Sequence, residues 1–121
     1  MVKALIDTSV LIDFLGGLSA ARKELGRYDD AAISIVTWME VMVGAPVGVE
    51  DETRQFLSRF AVTPVSQTIA ERAVELRQRH RIKLPDAIIW ASAQVEKRLL
   101  VTRNRKDFPS GDPGIRMPYR V

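Results

Sequence analysis

Short apolar runs alternate along the chain with longer stretches in which apolar residues return every three or four positions, a pattern that predicts strands threaded between helices. Residues 2–6 read as a buried strand. Thr8 or Ser9 is placed to cap a short helix whose Val10, Leu11, Phe14 and Leu15 make an apolar stripe, stopped by Gly16-Gly17. A second helix is predicted around 19–27 and a second strand at Ala31–Ser34. From Ile35 to Gly44 the spacing turns helical, with Val36, Met39 and Val43 on the inward stripe and Glu40, four positions after Val36, on or beside it. Pro46 and Gly48 mark a break, Asp51 or Glu52 opens a helix through Phe60, and Val62–Val65 is a brief strand. Ser66–His80 reads as an amphipathic helix turning Ile69, Ala73 and Leu76 inward, with Val74 a further candidate. Leu84-Pro85-Asp86 opens a helix carrying Ile89, Trp90, Ala91 and Ala93. Leu99–Thr102 is a strand, Asn104–Phe108 a tight helical turn and Gly114–Tyr119 a last strand.

Strands separated by helices of this length pair in parallel through right-handed crossovers, so the expected fold class is α/β. The reading is a three-layer sandwich with a central, mostly parallel sheet. Neither an internal repeat nor a low-complexity tract divides the 121 residues, which are expected to form a single domain over 1–121. No apolar run approaches the ~20 residues of a membrane span, and no basic-plus-apolar leader precedes the first strand, so a soluble cytoplasmic protein is expected.

Composition narrows the chemistry. The absence of cysteine removes disulfides, thiolate nucleophiles and thiolate zinc sites, and a lone His80 builds no multi-histidine site. His80 is read as a helix-terminal cation rather than a general base. The net charge of +3 hides an asymmetry: residues 1–76 carry 7 Lys/Arg against 11 Asp/Glu, and residues 77–121 carry 11 against 4. A basic carboxyl-terminal half makes a polyanionic partner plausible.

Four acids stand where a soluble protein normally places something neutral. Asp7 ends the first strand, at the position where open α/β sheets bind ligands. Its plain alternative is an N-cap. Glu40 lies near an inward helical stripe; otherwise it pairs with an arginine at the edge of the core. Asp86 precedes Ile89 and Trp90 by three and four positions, which places it over the sheet-facing side of its helix, though a first-turn acid is also favoured by the helix dipole. Asp107 follows the last central strand, where it either joins the others or pairs with Arg103 or Lys106. Converging carboxylates must protonate, pair with bases or hold a cation, and oxygen ligands alone select Mg²⁺ or Mn²⁺. Asp13 and Glu50-Asp51-Glu52 are read as solvated surface and Asp29-Asp30 as a turn. Trp38 and Trp90 are assigned to core or partner contacts, and Trp38, Met42 and Tyr119 to an apolar contact surface.

The chain resembles the PIN-domain family, and within it the VapC-type toxins of toxin–antitoxin pairs. The resemblance rests on Leu5-Ile6-Asp7-Thr8-Ser9-Val10-Leu11-Ile12, Thr37-Trp38-Met39-Glu40-Val41-Met42-Val43-Gly44, Leu84-Pro85-Asp86-Ala87-Ile88-Ile89-Trp90-Ala91-Ser92-Ala93 and Val101-Thr102-Arg103-Asn104-Arg105-Lys106-Asp107-Phe108, in the family's order. It implies a PIN-type α/β/α sandwich and Mg²⁺- or Mn²⁺-dependent endoribonuclease activity, with Asp7, Glu40, Asp86 and Asp107 as catalytic and metal residues. Thr8, Ser9 and Thr102 match the family's hydroxyl positions and are expected to orient the carboxylates. Many relatives carry an acid where Asn104 stands, so the fourth site position lies with Asp107, Asn104 beside it. The resemblance further implies a small VapB-like antitoxin and a toxin homodimer. Two other readings remain: a catalytically inactive PIN-fold module that binds RNA or protein, and a phosphohydrolase with Asp7 as nucleophile. Against the second, Ser9 stands where an Asp-x-Asp-x-Thr motif has its second acid.

Overall fold

A computed structural model describes residues 2–121. Among these residues five strands, β1 (Lys3–Ile6), β2 (Asp30–Ser34), β3 (Ala61–Thr63), β4 (Leu99–Val101) and β5 (Ile115–Arg116), form one sheet in the order β3-β2-β1-β4-β5. Every neighbouring pair is parallel. Six helices connect and cover them: α1 (Thr8–Leu15), α2 (Ser19–Leu25), α3 (Ile35–Gly44), α4 (Glu50–Leu57), α5 (Gln67–His80) and α6 (Leu84–Val95). The expected α/β/α sandwich is present.

The central strand explains the layering. Ala4, Leu5 and Ile6 are all fully buried, and the two-residue period of a strand sends them to opposite faces. Leu5 joins Ala32, Leu100 and the inner sides of α5 and α6, where Ile69, Ala73, Leu76, Ile89 and Trp90 are packed. Ala4 and Ile6 join Val10, Leu11, Ala21, Phe56 and Leu57 from α1, α2 and α4. Trp90 anchors the first core, with Phe108 edge-on at 6.3 Å and the His80 ring at 4.8 Å. His80 thus packs against the core as well as ending α5. On the second face the buried Glu24 ties α2 to the edge strand through Arg116, at 2.6 and 3.0 Å, with Tyr28 donating to the same carboxylate at 2.6 Å. Burial would raise the Glu24 carboxyl, but the bonds from Arg116 and Tyr28 outweigh it and hold it below its usual range.

Several expectations shift. The expected inward stripe of α3 is replaced: its buried residues are Val36, Thr37 and Val41, while Val43 is 87% and Met39 48% exposed. Leu15 and Val74 also face solvent by about half. The strand expected at Val62–Val65 is Ala61–Thr63 on the sheet edge, where Val62 stays partly exposed. Residues 105–107 form a turn rather than helix, and the last strand contracts to Ile115–Arg116. Asp30 begins β2 instead of a turn, pairing with Arg98 at 2.8 Å. Trp38, Met42 and Tyr119 are half-buried against the second core, and Ile12, Leu15, Met39, Val43 and Val47 are among the exposed apolar side chains.

Candidate active site

The strand order reverses direction at β1, which has β2 on one side and β4 on the other. Crossovers leave the sheet on opposite faces at such a point and open a crevice at the carboxyl ends of the strands. Asp7 follows β1 there, its backbone N–H donating to Val101 O at 2.9 Å, so that the residues after β1 and β4 are stitched together.

Asp7 is 3% exposed. Its Oδ2 accepts from Ser9 Oγ at 2.6 Å, Thr102 Oγ1 at 2.8 Å and Ser9 N at 3.3 Å. The last bond makes Asp7, not Thr8 or Ser9, the N-cap of α1. The capping and functional readings are therefore compatible: three donors gather on one oxygen, leaving lone pairs on Oδ1 for a ligand. Burial pushes the Asp7 carboxyl above its ordinary value, partly offset by the bonds from Ser9 and Thr102. The hydroxyls that looked like caps instead serve the acids.

Thr8 turns to α3. Its Oγ1 lies 2.6 Å from Glu40 Oε1 and 3.0 Å from the buried Thr37 Oγ1. One hydroxyl proton serves one acceptor at a time, and the carboxylate is the nearer and stronger. Glu40 is exposed rather than inward, and it meets a hydroxyl rather than an arginine. Asp107 pairs with neither Arg103 nor Lys106: its Oδ2 accepts from Asn104 Nδ2 at 2.8 Å while its own N–H donates to Asn104 Oδ1 at 3.2 Å. Asn104 N in turn donates to Thr102 Oγ1 at 3.0 Å, so the chain from Thr102 to Asp107 is one hydrogen-bonded unit ending on Asp7.

Asp86, in the first turn of α6, reports that these groups share one region. Its carboxyl is pushed up to about 7, first by burial and then by the charges of Asp7, Asp107 and Glu40, with Lys83 opposing. Three acids from distant segments thus act on a fourth. Among the described residues, however, no group of three or more His, Asp or Glu side chains is arranged to hold a metal ion as the chain stands. Glu40 is tied to Thr8 and Asp107 to Asn104 instead. In kind the donors fit a hard divalent cation: they are oxygens, one of them on a buried carboxylate with no basic partner.

Two residues escaped sequence reasoning. Asp13 is not solvated surface: it binds Arg103 through two bonds, at 2.7 and 3.1 Å, and accepts from Tyr119 Oη at 2.8 Å. Arg103 N also donates to Ser9 Oγ at 3.3 Å, which links this pair to Asp7. Thr37, fully buried in an apolar helix, backs Thr8. The only signal for either was a polar residue interrupting an apolar helical run.

A family model for the PIN domain matches residues 4–110. The chain belongs to the PIN-domain family. The matched span of this PIN domain contains all eight residues singled out at the crevice. The chain is 37% identical over 125 residues to "Ribonuclease VapC10" of Mycobacterium tuberculosis, across 97% of this chain and 93% of that protein. Among solved structures it is similar to a toxin–antitoxin complex from Klebsiella pneumoniae, with 50% identity, a TM-score of 0.93, and 98% of this chain and 100% of the other covered. The fold is shared with DNA-bound VapBC from Salmonella typhimurium at 23% identity and a TM-score of 0.76, with 96% of each chain covered.

Proposed function

We propose that this PIN domain is an endoribonuclease toxin of the VapC type, dependent on Mg²⁺ or Mn²⁺, which hydrolyses RNA phosphodiester bonds and is neutralised by a small VapB-like antitoxin. The observation that carries the reading is the gathering of Asp7, Glu40, Asp86 and Asp107 at the sheet's reversal, where burial first and then the charges of the other three push Asp86 up to about 7. Carboxylates so pressed together gain when a cation replaces their protons. Asp7, Asp86 and Asp107 would hold the ion, and Glu40 would complete a second cation position or orient the attacking water. A divalent cation supplies charge neutralisation at the phosphodiester and makes water a better nucleophile at neutral pH.

The chain's own residues prepare that chemistry. Ser9 and Thr102 lock the Asp7 carboxylate, Thr8 holds Glu40 from the side, and Asn104 fixes the Asp107 side chain by a reciprocal pair of bonds. Basic residues between Arg77 and Lys106 hold the RNA backbone without reading its sequence. Cleavage leaves a 5′-phosphate. Exposed Ile12, Leu15, Met39, Val43 and Val47 offer an apolar surface to a protein partner, the antitoxin or the second copy in a homodimer. No helix among the described residues is long and apolar enough to cross a membrane.

The test is cleavage of structured RNAs by the purified protein with Mn²⁺, Mg²⁺ or EDTA, beside Asp7→Asn and Asp86→Asn. Cutting that needs the cation and both carboxylates supports the reading; undiminished cutting in EDTA, or in both variants, ends it. The rival, a PIN fold that binds RNA without turnover, draws on Asn104 and on the open arrangement of the acids. It predicts RNA binding with no metal-dependent product.

A further inference from the structure

We propose that the concavity between Arg103, Arg105 and Arg120 is a phosphate-binding subsite that seats the RNA backbone away from the scissile bond. The proposal rests on the ribonuclease reading and adds to it a place for the strand. The pocket holds about 250 Å³ and is lined by those three arginines and Val121. Arg103 is already neutralised by Asp13. Arg105 and Arg120 are in no ion pair among the described residues, and both line this one small space.

Arg105 is built rather than loose. Its Nη2 donates to Met117 O at 3.3 Å and its Nη1 to Met117 Sδ at 3.6 Å, while its Nε is buried with no acceptor. A buried N–H left without an acceptor is unfavourable, and the chain itself supplies none here. A guanidinium held in one orientation suits the flat fork of a phosphodiester's oxygens better than a point charge would.

The location favours RNA over an acidic polypeptide. Arg103 and Arg105 flank Asn104 on the segment that carries Asp107, so the pocket belongs to the same loop as one of the four acids. The apolar groove of about 370 Å³, lined by Ile12, Leu15, Val41 and Val49, is where a protein partner finds hydrophobic contact, and it shares no residue with the arginine pocket.

The experiment is fluorescence anisotropy of a labelled single-stranded RNA with the full chain in EDTA, across a salt series, so that binding is read without cleavage. Arg120→Gln and Arg105→Gln are each expected to weaken binding about 5- to 10-fold near 100 mM salt and to lower the slope of log affinity against log salt by about 0.7. Lys23→Gln, on α2, is the control and keeps wild-type values. Arg105→Gln also loses the Met117 contacts; Arg120, exposed and without an ion pair, reads the pocket with the fold undisturbed. Wild-type affinity and slope in both variants overturn the proposal. So does a loss of binding to poly-glutamate with RNA binding intact, which assigns the pocket to an acidic protein. Wild-type protein that cuts RNA with Mn²⁺ while both variants bind normally removes the subsite alone; wild-type protein that neither binds nor cuts RNA removes the ribonuclease reading with it.

Discussion

Replacing Asp86 by Asn should stabilise the cation-free protein while abolishing its function, and the size of the effect follows from the crevice. The Asp86 carboxyl is raised from 3.8 to about 7 by burial and by three neighbouring acids. Three pH units correspond to a ceiling of roughly 4 kcal/mol, and solvent screening of a partly exposed group brings this to about 2 kcal/mol. The sign is the reverse of the usual carboxylate case. Because the folded state holds the proton more tightly than the unfolded chain, the penalty is absent below about pH 4, accumulates as the unfolded carboxyl ionises, and is complete above about pH 7. Asn carries the same shape without the charge. At pH 8 in EDTA the variant should therefore melt about 6–10 °C above wild type, with the curves converging near pH 4. Saturating Mn²⁺ reverses the order: a ligand at a hundred times its dissociation constant adds about 2.7 kcal/mol to the protein that binds it. Differential scanning fluorimetry at both pH values reads the whole pattern. A variant that melts with or below wild type at pH 8 in EDTA would refute the claim that the acids press on one another.

Other perturbations separate charge, position and scaffold. Asp7→Asn keeps an acceptor for the α1 cap yet removes the buried charge, so RNA cleavage should fall more than about 100-fold with no loss of melting temperature. Thr8→Val deletes the bond to Glu40, and Mn²⁺ affinity by calorimetry should drop about 10- to 100-fold, with Thr8→Ser restoring it. Asp13→Ala leaves Arg103 and Tyr119 without their acceptor and should cost roughly 2–3 kcal/mol in urea unfolding at pH 7. Burial, which alone would raise the Asp13 carboxyl, is outweighed by the bonds from Arg103 and Tyr119, which hold it low; its contribution is present above the unfolded carboxyl's range, near pH 4, and the gap closes as pH falls through the folded value.

Much of this architecture could be read from spacing, because β1 is buried on both faces and a continuous apolar run has no other use. The bounds of α3 are legible as Ile35 to Gly44, but its orientation is not: Ile35, Val36, Val41, Met42 and Val43 make it apolar nearly all round, so the pattern fixes no inward side. At the site, the four acids stood out as charges in apolar settings. Their partners did not. Asp13 meets Arg103 across 90 residues and Tyr119 across 106, a pairing that only the crossover topology brings about. The family resemblance implies that Thr8 and Ser9 orient carboxylates, but their contacts with Glu40 and Thr102 depend on α3 and the end of β4 arriving beside them.

The most direct measurement is calorimetric titration of Mn²⁺ into the cation-free protein in buffers of different ionisation heat, which counts protons displaced per ion. An ion seated among Asp7, Asp86 and Asp107 should release about one proton at pH 6, that of Asp86, with binding lost in Asp7→Asn and Asp86→Asn. Binding that displaces no proton at pH 6, or that survives in both variants, would contradict a shared cation at the reversal of the sheet.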